Sequence, residues 1–299
     1  MIFNLAAMAF AASSAEESGG VVGNVWRLGA GTRASGMGQA FAAVPGDVWD
    51  ITANAAGLAW LEHSTVSAEA QPMAMDRTMA SVAAGLKLPQ KAGGVALCWR
   101  NAQVSNNMGR DASANPTSYI TDSDNLFSLG LGRNFGDAFS LGITVNAKYH
   151  LLAGHSATGF SADLGLLLGD PSLCFAGAVH DLVDRQRWDT QDLDPAGKLE
   201  KAPGIFILGV SGKPWGFLLL STQYESALSQ TDKIRAGAEW RVDEPVWVRA
   251  GYDSGELALG GRVEIHSLFE SRLALDYLFR TDSIGGSPTQ GLGLTLYFK

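Results

Sequence analysis

FSLGITVNAKY, residues Phe139–Tyr149, changes chemistry at every step. Phe139, Leu141, Ile143, Val145, Ala147 and Tyr149 alternate with Ser140, Gly142, Thr144, Asn146 and Lys148, which is the period of a β-strand with one oily and one polar face. The pattern recurs. Ile234, Ala236, Ala238 and Trp240 alternate with Lys233, Arg235, Gly237, Glu239 and Arg241, and Leu257, Leu259, Val263 and Ile265 stand against Arg262 and Glu264. Leu273, Leu275, Tyr277 and Phe279 oppose Arg272, Asp276 and Arg280, and the chain closes with Leu292, Leu294, Leu296 and Phe298 against Gly293, Thr295 and Tyr297. Divided at its turn signals, the chain gives about fourteen such segments of roughly nine to twelve residues, the length of a tilted strand crossing a bilayer. They begin near Ser64, Thr78, Gly93, Asn125, Ala138, Ser156, Ser172, Gly204, Trp215, Thr231, Pro245, Gly255, Ser271 and Thr289. The expected fold is all-β: an antiparallel transmembrane barrel over residues 63–299, in the outer membrane of a diderm bacterium.

Composition agrees. Of 299 residues, 46% are hydrophobic and only 17% charged, and 36 are glycine, yet no apolar run reaches the ~18 residues of a membrane-spanning helix. A soluble β-sandwich needs a polar exterior, and an oily face running through nearly every strand leaves none. Connections predicted short, at 89–92, 135–137, 169–171, 212–214 and 243–244, alternate with the side that carries the two long loops, 103–124 and 181–203; such asymmetry belongs to outer-membrane barrels. Outward Phe139, Phe217, Trp240 and Phe298 fall at the turn side, and Tyr149, Phe160, Tyr252 and Phe279 at the loop side, as two aromatic girdles. The net charge of −8 and the absence of a Lys/Arg run argue against a nucleic-acid partner.

The N-terminus, apolar from Ile2 to Ala12 and followed by Ser13-Ser14-Ala15, reads as a signal peptide over residues 1–15. Residues 16–62 then form a separate segment. Its GAGTRASGMG, Gly29–Gly38, lacks the Gly-Lys-Ser/Thr end of a phosphate loop and the third glycine of a dinucleotide fingerprint. Asp47 is placed to cap a short helix over Val48–Ala56, stopped by Gly57.

RLGAGTRASGMGQAFAAVPGDVWDITANAAGLAWL, residues 27–61, resembles the N-terminal signature of PorV/PorQ-type outer-membrane proteins, whose architecture is similar to the long-chain fatty-acid transporter (FadL-like) barrels. The match rests on Arg33, Gly36, Met37, Gly38, Phe41, Asp47, Asn54 and Gly57 among others, and departs at Ala55, where proline is usual, and at Gly46, where a second acid is common. The resemblance implies a plug lodged in the barrel and a non-enzymatic shuttle or scaffold for protein secretion of the type IX kind, partnered by secreted cargo or secretion-machinery subunits. The alternative it implies is a passive transporter of a hydrophobic small molecule. Outer-membrane lipid is a partner in both.

Lys148, Asp163, Lys233, Arg235, Glu239, Arg241, Arg249, Arg262, Glu264, Arg272, Asp276 and Arg280 fall on the lumen face, either as a cross-strand ladder that ties wall to plug or as a polar path. The 180–201 stretch, with Asp181, Asp184, Asp189, Asp192 and Asp194, does not follow a calcium-loop spacing and is expected as a solvated outer loop with Trp188 as a partner contact. His63, His150, His155, His180 and His266 are scattered without metal spacing, Cys98 and Cys174 form no motif, and no nucleophile elbow occurs. No catalytic residue, cofactor or metal site is expected.

Overall fold

Alternation along the chain becomes a closed wall. A computed structural model of the protein describes residues 24–89, 92–190, 197–227, 230–266, 271–282 and 286–298; the expected signal peptide lies outside them. Fourteen long strands run β1 (Ser64–Met73), β2 (Arg77–Lys87), β3 (Gly94–Val104), β4 (Asp122–Asn134), β5 (Phe139–Leu152), β6 (His155–Asp170), β7 (Leu173–Asp189), β8 (Ile205–Trp215), β9 (Leu218–Ala227), β10 (Lys233–Asp243), β11 (Val246–Asp253), β12 (Glu256–His266), β13 (Arg272–Arg280) and β14 (Thr289–Phe298). Each pairs antiparallel with its sequence neighbour, and β1 pairs with β14 from Ser64↔Phe298 to Ala70↔Leu292, so the sheet closes on itself. A two-residue stub, Leu199–Glu200, adds to the edge of β7, and a small hairpin, Met108–Arg110 with Pro116–Tyr119, decorates one long loop.

The strand faces divide as the period-2 pattern requires. In β5, Ser140, Thr144, Asn146 and Lys148 are buried in the lumen while Leu141, Ile143, Val145 and Tyr149 are exposed on the outside. In a membrane this exterior is solvated by lipid, and closure leaves no unpaired sheet edge in the hydrocarbon. At the turn side Phe135 meets Phe139 at 5.9 Å between ring centroids, Trp215 stacks on Phe217 at 6.2 Å, and Phe217 meets Trp240 at 6.5 Å. Those rings build the expected lower girdle.

Two loop expectations are corrected. β8 runs through Lys213 and Pro214 to Trp215, with a register shift between Gly212 and Trp215, so the tight turn is Gly216–Phe217 rather than 212–214. The bulge absorbs the proline that the turn reading relied on. The long outer connections are also shorter than expected, 105–121 and 190–204, because β3 stays paired with β4 as far as Val104↔Asp122 and β7 with β6 as far as Ser156↔Asp189.

Residues 24–61 lie inside the barrel. They comprise a 3-10 turn at Asn24–Leu28, helix α1 (Thr32–Gly36), helix α2 (Asp50–Ala53) and a second 3-10 helix at Ala55–Trp60. The helix expected over Val48–Ala56 is thus broken in two. Asn54 is extended there, because its amide donates to Ala42 O (3.0 Å) and to Leu166 O of the wall (3.1 Å) while its Oδ1 accepts from Ala56 N (3.2 Å). Ala55 opens the next helical turn, a position that tolerates proline equally well. Val48, Ile51, Leu58 and Leu61 pack with Ala83, Ala96 and Cys98 of β2 and β3.

Glycine sets how close wall and segment approach. A Cβ on Gly142 would strike the Ala55–Ala56 backbone, and one on Gly251 would strike the backbone at Met37–Gly38. At these two positions glycine makes room for main chain. Gly142→Val is expected to destabilise the folded barrel by about 1–3 kcal/mol through overpacking, whereas Gly216→Ala, whose new methyl meets nothing within 4 Å, is expected to be neutral. Thermal loss of the folded form, followed by gel mobility in detergent, checks both.

Candidate functional site

The charges on the inner face are joined to the buried segment. Arg33, on α1, donates from Nε to Glu239 Oε2 (2.8 Å), from Nη2 to Glu239 Oε1 (2.6 Å) and from Nη1 to Asp47 Oδ2 (3.1 Å). Arg249 Nε donates to the same Glu239 (2.6 Å) and its Nη1 to Asp276 (2.6 Å). Asp276 also holds Arg262, whose Nη1 reaches Tyr297 Oη at 2.8 Å. Asp47, Arg33, Glu239, Arg249, Asp276, Arg262 and Tyr297 thus form one chain of charge-assisted bonds from the plug across β10, β11, β13, β12 and β14.

A second cluster sits nearer the loops. Arg27 bonds Glu225 (2.6 Å), Glu225 also pairs with Arg235, and Arg235 Nε donates to Asp253 (2.9 Å). Across the lumen, Lys148 pairs with Asp184 and, at 3.0 Å, with Asp181. Between these groups lies a polar cavity of about 60 Å³, walled by Trp26, Arg100, Lys148, Asp181, Glu225 and Arg235 among others.

The signature residues have distinct local tasks. Met37 and Phe41 are fully buried, with the Arg33 guanidinium 5.4 Å over the Phe41 ring. Gly36 lies against Gly260, Gly38 has φ +62° and abuts the Tyr252 backbone, and Gly57 lies against the Asp50 carboxylate. Asp47 Oδ1 accepts from Trp49 N (3.1 Å).

Most of the inward charges lie where alternation puts them, but not all are buried. Asp163 accepts from Asn146 (2.9 Å) and from the Asp181 backbone (2.8 Å). Arg280 faces Glu256 at 3.5 Å, and the half-buried Arg272 faces Glu264 at 3.7 Å with its guanidinium over Tyr297. Arg241 is a correction: it is 44% exposed and pairs with Glu244 at the turn rim, because β10 extends beyond the lumen on that side. Trp188 is another. It belongs to β7, not to a loop, and its indole donates to Glu200 (2.7 Å) and packs on His150 at 5.0 Å.

Asp181 and Asp184, expected in the solvated loop, point inward once β7 continues. Arg27, Glu69, Arg100, Gln223, Glu225 and Asp253 belong to the site as well. The parity signal for Glu69 and Glu225 was present in Ser67-x-Glu69-x-Gln71 and Ser221-x-Gln223-x-Glu225. Glu69 receives Gly31 N (2.8 Å) and Thr32 Oγ1 (3.0 Å), and Gln223 receives Phe41 N (3.2 Å) and Ala42 N (3.1 Å). Three of these four bonds satisfy main-chain N–H groups that a lumen empty of water would leave bare.

Burial, with the neighbouring Asp47, pushes the Asp50 carboxyl well above the usual carboxylate range, although Gly46 N and Asp47 N both donate to it at 2.9 Å. A carboxyl whose folded value is raised contributes most to stability when protonated and loses that contribution as pH rises through the folded value. Plug protection against hydrogen exchange is therefore expected to fall on alkaline titration from the ordinary carboxylate range upward. Asp50→Asn should flatten that dependence. Arg33 is the reverse case: the wall and plug carboxylates hold its guanidinium charged against the cost of burial. Arg33→Met, which leaves Asp47 without its cation and Glu239 with Arg249 alone, should cost roughly 3–5 kcal/mol and expose residues 24–61 to protease in an otherwise folded barrel.

No family model and no curated protein matches the chain. Its fold does match solved structures: the Ralstonia pickettii toluene transporter TbuX (TM-score 0.57, 13% identity, covering 90% of this chain and 97% of that one) and the Pseudomonas putida toluene transporter TodX (0.58, 11%, 90% and 97%). It also matches a Pseudomonas aeruginosa FadL homologue (0.60, 10%, 88% and 96%). At these identities the likeness is one of fold, and it falls on the fatty-acid-transporter side of the signature's resemblance; none of these matches is a secretion component. The chain is a closed antiparallel barrel of fourteen long strands with residues 24–61 in its lumen, and its fold is similar to that of FadL-like barrels.

Proposed function

We propose that the protein is a non-enzymatic outer-membrane transporter of hydrophobic small molecules, with residues 16–62 as its plug. The observation that carries the reading is a flaw in the wall. Between β6 and β7 the ladder jumps from Ala162↔Val183 to Leu164↔Val179, so that Asp163 alone faces His180, Asp181 and Leu182. Asp181 takes a left-handed φ of +51° there, and the gap is stitched by side chains: Asp163 accepts the Asp181 N–H, and His180 Nε2 lies 3.0 Å from Ala53 O of the plug.

The lumen cavity and a lipid-facing hollow lie back to back at this flaw. The hollow, about 840 Å³, is walled by Leu141, Ile143, Leu164, Leu166, Val179 and Phe206, and Ile207 borders both spaces. A second outer hollow of about 800 Å³ lies over β11–β14 and β1. That one is backed by a continuous ladder between β12 and β13 and by the buried Arg262–Asp276 pair. An apolar solute leaving water gains by entering either hollow, and the first adjoins the gap of three residues against one in the β6–β7 ladder. The structural likeness to toluene transporters and to a FadL homologue agrees with this reading, and so does a plug held by polar bonds that water or a solute can exchange.

Deleting Asp181 and Leu182 keeps strand parity and brings the two halves of the ladder into register. In proteoliposomes, the wild-type protein should speed entry of N-phenylnaphthylamine over protein-free vesicles, and the deletion should remove most of the gain while the barrel stays folded. Equal entry with and without the protein, or an undiminished rate in the deletion variant, would overturn the reading.

A further inference from the structure

We propose that Arg100 anchors a binding site for a small oxyanion, a carboxylate foremost, in the lumen cavity on the loop side of the plug. This goes beyond passage of apolar solutes and concerns a cation in the lining of the lumen cavity rather than the break in the wall beside it. Arg100, on β3, is 6% exposed, and its Nε and Nη1 are buried with no hydrogen-bond partner. The other arginines as deeply buried each face a carboxylate: Arg27 with Glu225, Arg235 with Glu225 and Asp253, Arg249 with Glu239 and Asp276, Arg262 with Asp276, and Arg280 with Glu256. Among the described residues Arg100 is the exception. A buried guanidinium without a counter-charge is strongly unfavourable, so the fold carries a cost that a bound anion removes.

The acids around Arg100 are already engaged. Glu69 is held by Gly31 N and Thr32, Asp163 by Asn146 and the Asp181 backbone, and Asp181 by Lys148. One face of the guanidinium is covered by the Trp26 ring, at 4.9 Å from the centroid. Stacking leaves the in-plane N–H groups free for a ligand, and an anionic oxygen can accept a charge-assisted bond from Nε or from Nη1. Arg27, Lys148 and Arg235 line the same cavity with Asp163, Asp181 and Glu225, but each of these three cations is paired with a carboxylate, which leaves Arg100 as the cation open to an anion. Its volume, about 60 Å³, holds more than one water and leaves room for an anionic group beside Arg100. Much of its lining is polar or charged, with Asn146, Ser161, Asp163 and Gln223 beside the ionic groups, and offers an alkyl tail little gain over a small hydrophilic anion.

Saturation-transfer NMR on the detergent-solubilised full chain tests this with acetate, inorganic phosphate and octanoate. Acetate should bind saturably to the wild type, and octanoate no more tightly than acetate. Arg100→Gln should weaken acetate at least tenfold, and Arg100→Lys, which keeps the charge but loses the planar edge, should fall between. Unchanged heat-modifiable gel mobility shows that each variant is folded. The proposal is overturned if neither acetate nor phosphate binds the folded wild type, as for a cavity holding water alone. Equal binding by Arg100→Gln, or octanoate binding far more tightly than acetate, overturns it too. No flux is measured, so this result and the test of solute passage fail independently of each other.

Discussion

The joint between Arg33 and Glu239 is the contact on which the plugged state depends. A guanidinium carried by a five-residue helix has too little local structure to hold it in place, so its position is set by the wall carboxylate it grips with two bonds and by Asp47 behind it. Glu239 in turn is shared with Arg249, which passes the constraint to Asp276 and Arg262. Removing a member leaves its neighbours with fewer partners in a space with little water, where the remaining partners are worth most and cost most.

This arrangement follows from the solvent. With lipid outside, hydrophobic burial cannot drive the interior together in the usual way, and polar side chains are excluded from the outer face. They collect in the lumen, where they are satisfied by one another and by the main chain of residues 24–61. Glu69, Gln223 and Asn54 bond backbone N–H and C=O groups across the boundary between wall and plug. Inner-face glycines such as Gly142 and Gly251 bring the backbones close enough for those bonds to form. The wall is thus tight where glycine and ion pairs meet it, and loose at Asp163 and His180–Leu182, where side chains replace ladder bonds.

Period-2 alternation made the barrel, its strand number and most strand starts legible, since the pattern is imposed by two media on two faces. It also placed Lys148, Arg235, Glu239, Arg249, Arg262 and Asp276 in the lumen. It misjudged strand ends. Arg241 lies on the right face but past the end of the lumen, while Trp188, Asp181 and Asp184 lie on a strand that outlasts its hydrophobic stretch because β6 accompanies it. Glycine and proline at 212–214 suggested a turn that a bulge instead carries through.

The sequence by itself determined the architecture and which side chains face inward, because the apolar exterior and polar interior alternate along each strand independently of distant contacts. Which inward charges meet was decided only by tertiary structure. Arg33 and Glu239 are 206 positions apart, and their union depends on the strand stagger and on how deep the plug descends. The same closure left Arg100 beside Trp26 with its neighbouring acids already bonded. No local pattern encodes that exclusion, since it is a property of how the whole interior divides a limited number of carboxylates among its cations.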